Sequence, residues 1–249
     1  MSYKKRLLCT VAVALSFTAC AANATVLPLI VTTPSYVNSA DWYTSSGWSD
    51  GTSWNACQWE QSAVSVNNNT NLLFTLSNGG SMTSPSPYAC PEIQSTSNYG
   101  YGMYTATMKT AAGSGLNTAF FTYAGPPSGT VHDEIDMEFL GSNPNTVDLT
   151  FYSNGVEYGA VQVPLGFNAS QAFHTYKIAW TPTSIKWYAD SALIYTSPKG
   201  AAIPVTPGKV LLSLWAGTSA LNAWLGPFTY TGPVSAEVQN VSFTPLTTN

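Results

Sequence analysis

The stretch Asp133-Glu134-Ile135-Asp136-Met137-Glu138 alternates carboxylates with large apolar side chains. On a β-strand, successive side chains point to opposite faces. Glu134, Asp136 and Glu138 then share one face, and Ile135 and Met137 point the other way, into a core. Four of the chain's 12 acidic residues fall between positions 133 and 138. Like charges that close raise one another's energy unless something compensates.

The same two-residue period recurs on both sides of this stretch. Strands are predicted at 64–66 and 72–76 around the polar turn 67–71, and at 101–109, 175–180 and 184–189. Asp190-Ser191 reads as a hairpin turn into 193–195. Residues 210–215 form the most apolar strand, and the last strand covers about 236 to 243 before a frayed tail. Short strands separated by Gly, Pro, Asn and Ser predict an all-β sandwich or barrel. No stretch sustains a helical period; residues 167–173 have room for a single turn. With no repeat and no long linker, one domain is expected.

The chain has 249 residues, and residues 1–24 read as an export signal. Lys4, Lys5 and Arg6 precede an apolar run, and Ala22-Asn23-Ala24 fits the small-residue cleavage rule. The rival reading, a lipoprotein signal ending at Cys20, fits less well because Phe17 stands where a Leu-like residue belongs. No segment is long and apolar enough to span a bilayer, so no membrane association is expected. Residues 25–249 then form a single domain of about 225 residues, a comfortable size for one all-β unit. Three of the 8 basic residues leave with the signal, so five remain against 12 acidic ones, about −7. There is no basic patch, which argues against nucleic acid as a partner. Charged residues make up only 8% of a chain rich in Ser, Thr, Asn, Gly, Tyr and Trp. That composition suits a neutral ligand such as a polysaccharide, and equally an inert β-sandwich. Cys57 and Cys90 remain of the 4 cysteines. In an exported chain they are expected to pair, stabilising the fold by about 3–4 kcal/mol through loop entropy.

The carboxylate spacing has chemical content. Four residues of strand cover about 13 Å, and two Glu side chains leaning together bring their carboxyl groups to about 5–6 Å. That matches a retaining glycosidase, whereas an inverting one needs a wider gap for water. One Glu would attack the anomeric carbon; the other would protonate the leaving oxygen and then activate water. Asp136 between them would couple to both titrations, with an ionised nucleophile beside a protonated acid. A solvated acidic strand and a Ca²⁺ site remain open on spacing alone.

The stretch from His132 through Phe139-Leu140-Gly141 resembles the active-site signature of glycoside hydrolase family 16. Tyr99-Gly100-Tyr101-Gly102, Phe120-Phe121-Thr122-Tyr123, Ile185-Lys186-Trp187-Tyr188 and Thr206-Pro207-Gly208-Lys209 resemble segments of bacterial lichenases in the same order. Gly115-Leu116-Asn117 and Trp224-Leu225-Gly226-Pro227-Phe228 are similar to the secreted glycanases that trim succinoglycan-type exopolysaccharide. The resemblance covers about residues 40 to 245. It implies a concanavalin-like β-jelly roll of two curved antiparallel sheets, with a substrate groove on the concave face. It implies Glu134 as nucleophile, Glu138 as general acid/base and Asp136 as the assisting carboxylate. It also implies sugar contacts at Glu92, beside the disulfide cysteine Cys90, and at Gln94, Phe121, Tyr123, His132, Tyr152, Trp215 and Trp224. Aromatic rings suit the flat apolar faces of sugars. Trp180 and Trp187 are assigned to packing; Trp48, Trp54 and Trp59 are left unassigned.

Departures from lichenases bear on the substrate. His132 stands where they carry Trp, Gln94 where they carry Arg, and Thr150 and Ser213 where they carry Asn. Gln239 falls where an Asp helps hold structural calcium, so no cofactor is expected and a calcium site lacks support. The expected function is a secreted, monomeric endo-hydrolase of β-1,3/1,4-linked glucan or a related exopolysaccharide. The alternatives are a transglycosylase, suggested by His132, and a non-catalytic carbohydrate-binding sandwich.

Overall fold

The computed structural model describes residues 40–67, 71–79 and 87–246, together with a short strand at Leu27–Pro28. The expected export signal at 1–24 lies outside the described residues. Among them the chain forms β1 (Leu27–Pro28), β2 (Trp42–Thr44), β3 (Cys57–Trp59), β4 (Val64–Val66), β5 (Leu72–Asn78), β6 (Tyr88–Cys90), β7 (Glu92–Ser95), β8 (Gly102–Lys109) and β9 (Leu116–Ala124). There follow β10 (Asp133–Leu140), β11 (Thr146–Ser153), β12 (Val156–Pro164), β13 (His174–Thr181), β14 (Ser184–Ala189), β15 (Ala192–Thr196), β16 (Lys209–Ala216) and β17 (Val234–Pro245). One helical turn, α1 (Asn222–Leu225), precedes β17.

The strands form the expected two-sheet β-jelly roll. One sheet runs β12-β11-β10-β9-β16-β7-β2. The other runs β15-β14-β13-β8-β17-β5-β6-β3, with β1 added at β17 and β4 at β5. Pairing is antiparallel except between β3 and β6, which run parallel. The predicted strands appear within one or two residues of their expected ends. The final strand is longer than expected: Thr244 and Pro245 still pair with Met103 and Gly102. A bulge between Val238 and Asn240 leaves Gln239 out of register with β8. Residues 167–173 contain a turn closed by Gln171 N–H to the Asn168 carbonyl at 3.1 Å, not a helix.

The core lies between the sheets. From one side it receives Phe120, Ile135, Met137, Phe139, Leu149, Phe151, Leu212 and Leu214, and from the other Tyr104, Tyr176, Ile178, Trp180 and Trp187. Trp180 and Trp187 are buried as assigned, and each indole finds a carbonyl. Trp180 donates to Pro204 at 2.9 Å and Trp187 to Asp136 at 3.0 Å. The second bond ties the facing sheet to the backbone of β10. Truncating Trp187 to Ala would cost about 3–5 kcal/mol and release that contact.

Cys57 and Cys90 form the expected disulfide, with Cα atoms 5.6 Å apart. It joins β3 to β6, and Pro91 alone separates β6 from Glu92 at the start of β7. The bridge therefore holds the entry of a strand whose other face carries Glu92 and Gln94.

Candidate active site

Strand β10 sits inside its sheet with β9 on one side and β11 on the other. Ile135, Met137 and Phe139 are fully buried in the core, so the period of the strand turns Glu134, Asp136 and Glu138 outward together. Both ends of the strand are anchored. Asp133 points away from the other three and accepts backbone N–H bonds from Asn154 at 2.7 Å, Val205 at 3.0 Å and Thr206 at 2.9 Å. Burial opposes its charge, yet the N–H groups of Asn154, Thr206 and Val205 prevail and hold its carboxyl below the usual range. At the far end, Gly141 meets Gly113 so closely that a Cβ would lie 2.4 Å from the Gly113 carbonyl oxygen; only glycine fits.

Register assembles the outward face in rows. Glu134 is flanked by Tyr152 on β11 and Tyr123 on β9. Asp136 lies between Thr150 and Phe121, and Glu138 between Asp148 and Ala119. Across β9, Leu211 continues the Asp136 row and Ser213 the Glu138 row, while Trp215 pairs with Asn117. On β7, Gln94 follows Leu211 and Glu92 follows Ser213.

The face thus collects the residues expected from the resemblance, though not at one point. Strand β7 is three strands from β10, about 14 Å at the usual spacing. Glu92 and Gln94 belong to the far side of the face. There Ser45 Oγ donates to Glu92 at 2.6 Å, and Gln94 Nε2 donates to Ser45 Oγ at 3.1 Å. Burial chiefly, with the charge of Asp50, raises Glu92 to about 7 against the pull of Ser45.

Around the three carboxylates the partners differ. His132 Nε2 lies 2.5 Å from Glu134 Oε2, and the imidazole stacks on Tyr152 with ring centroids 4.5 Å apart. Asn117 Nδ2 donates to Glu138 Oε1 at 2.8 Å. Trp224, carried by α1, donates from Nε1 to Asp148 at 2.7 Å. Burial, then the charges of Glu134 and Glu138 and a hydrogen bond with Glu134, hold Asp136 well above the ordinary carboxylate range. Burial also raises Glu138 to about 8; Asn117 opposes this, and the charges of Glu134 and Asp148 add to it. Glu138 therefore favours its protonated form at neutral pH. The hydrogen bond to Glu134 raises His132 against a smaller opposing effect of burial.

An indole wall borders the Glu138 end. Trp54 meets Trp215 edge-on at 5.4 Å, and Trp215 lies 6.2 Å from Trp224. Trp54 is 39% exposed and joins the face although sequence reasoning left it unassigned. Trp48, also exposed, packs against buried Trp59. Two further residues were missed. Asp148 had a signal, since it alternates with Thr150 and Tyr152 against buried Val147, Leu149 and Phe151. Asn117 had none, because Leu116 through Phe120 are buried on both faces. Chemically, the arrangement offers a proton donor, a neighbouring carboxylate held by a histidine, and aromatic surfaces on either side of them.

Comparison with known proteins follows the same lines. The family described as "Glycosyl hydrolases family 16" matches residues 51–230. The beta-glucanase of Paenibacillus polymyxa is 42% identical over 212 residues, covering 84% of this chain and 85% of that protein. The endo-1,3-1,4-beta-glycanase ExoK of Rhizobium meliloti (strain 1021) is 38% identical over 206 residues, covering 82% of this chain and 74% of its own. Among solved structures, the Bacillus licheniformis beta-glucanase superposes with a TM-score of 0.77 at 36% identity, over 87% of this chain and 100% of that one.

Proposed function

Since the chain belongs to glycosyl hydrolase family 16, we propose that it is a secreted endo-β-glucanase that cleaves β-1,3/1,4-linked glucan or a related exopolysaccharide with retention of configuration. The observation that carries this reading is the outward row of Glu134, Asp136 and Glu138 on β10, in which Glu138 is raised to about 8. A carboxyl group that stays protonated at neutral pH can give its proton to a glycosidic oxygen as the bond breaks.

In the proposed mechanism a sugar ring binds over β10, with its apolar faces against the rings around it. Glu134 attacks the anomeric carbon from one side while Glu138 protonates the departing oxygen. The result is a glycosyl ester on Glu134 and an ionised Glu138. Glu138 then takes a proton from water, the hydroxide oxygen attacks the anomeric carbon, and the Glu134 ester bond breaks. Two inversions leave the β-configuration. Asp136, whose proton affinity is raised by burial and by the charges of Glu134 and Glu138, shares a hydrogen bond with Glu134 and assists the pair.

The test is a panel of lichenan, barley β-glucan, laminarin, xyloglucan and succinoglycan scored for new reducing ends. Proton NMR of the first product would follow the anomer. Release of β-anomer from a mixed-linkage glucan by the native chain, and its loss in Glu134→Gln, is the expected result. First release of α-anomer, or full activity of Glu134→Gln, contradicts the mechanism. Cleavage of laminarin alone contradicts the mixed-linkage preference.

A further inference from the structure

We propose that His132 is a positioning residue for Glu134: its Nε2, 2.5 Å from Glu134 Oε2, holds the carboxylate in the orientation that faces the bound sugar. This rests on Glu134 being the nucleophile. The terminal torsion of a Glu side chain is broad and nearly two-fold, so a bare carboxylate presents its oxygens over many angles. Misplacing a reacting atom by about 1 Å can cost about 100-fold in rate.

The histidine is built to restrain that torsion. Its carbonyl accepts from Gly155 N–H at 2.8 Å, which ties its backbone to the turn between β11 and β12. Its ring stacks on Tyr152 at 19° between planes, and Tyr123 lies 5.6 Å away on the β9 side. The imidazole side chain is 31% exposed and the Glu134 side chain 18%, so the pair is reachable from solvent. Nε2 carries a proton both in the imidazolium ion and in one neutral tautomer, so the restraint works in either charge state. The titratable groups facing the ring are Glu134 from β10, Tyr123 from β9 and Tyr152 from β11, with Glu157 of β12 beyond Tyr152 and the charge of Asp133 acting from the other face of β10. No basic side chain is among them. The hydrogen bond to Glu134 is also the largest influence raising the imidazole. Glu134 also shares a hydrogen bond with Asp136.

The experiment compares His132→Phe, which keeps a ring on Tyr152 but loses the N–H, with His132→Gln, which can place an amide N–H near the same point. On a mixed-linkage glucan, kcat of His132→Phe should fall about tenfold or more with KM within about twofold, and His132→Gln should recover most of the loss. Unchanged kcat in His132→Phe overturns the proposal. So does an equal loss in both variants through KM, which would make the ring a sugar contact. A second arm needs no activity: NMR titration of the two imidazoles, with His174 as internal control. The His132 midpoint should drop in Glu134→Gln while that of His174 stays. Equal His132 midpoints mean that the contact is absent in solution, and overturn the proposal even if a variant fails to fold. If the native chain cleaves no β-glucan, the functional reading fails while the titration still decides the contact.

Discussion

Asp148 stands directly opposite Glu138 across the ladder between β10 and β11, and the indole of Trp224 donates to the same Asp148 carboxylate at 2.7 Å. The aromatic wall and the proposed proton donor are therefore linked through one acidic side chain. Its charge helps keep the proton on Glu138.

Replacing Asp148 by Asn removes that charge, so the Glu138 value should fall from about 8. With Glu138 as the proposed acid, the alkaline limb of kcat/KM should move to lower pH, by about half a unit or more. A pH–rate profile measures it; an alkaline limb that stays put or moves up speaks against the linkage.

Asn117→Ala should do the reverse. Its amide donates to Glu138 and favours the charged form. Without that bond the carboxyl rises further and the alkaline limb moves to higher pH. Because Asn117 is fully buried, the fold should also lose about 1–2 kcal/mol, read as a lower Tm.

Asp133→Ala should destabilise the fold by about 2–3 kcal/mol, because three backbone N–H groups lose their acceptor. The Asp133 carboxyl is held below its ordinary value of 3.8. Its stabilisation is thus complete above that value and is lost as pH falls through the depressed folded one. Thermal unfolding of wild type and variant should differ most near neutrality and converge in strong acid.

Glu92 carries the opposite sign. It rises from 4.5 in the ordinary state to about 7 in the fold. Between those values the unfolded chain gives up a proton that the folded chain keeps, so stability declines as pH rises across that window. Glu92→Gln should remove this slope, on the order of 2–3 kcal/mol. Denaturant unfolding at pH 5 and pH 8 should therefore differ less in the variant than in the native chain.

What the amino-acid order determined alone is local. Alternation at 133–138 made β10 a strand with three carboxylates on one face, because a period of two assigns every side chain to a face without knowing its neighbours. The same rule located the strands around 64–66, 101–109 and 184–189, and two cysteines in a chain read as exported could be paired by elimination. A face, however, names no partner. Only the packing of two sheets decided that β11 would bring Asp148 to Glu138, that β9 would bring Asn117, and that Glu92 would lie three strands away. It also decided that Trp187, legible as core, would reach the Asp136 carbonyl from the opposite sheet. Register and sheet order depend on contacts between residues distant in the chain. The identity of the carboxylates was therefore readable in the sequence, while the proton affinities of Asp136 and Glu138 were settled only by what the fold placed beside them.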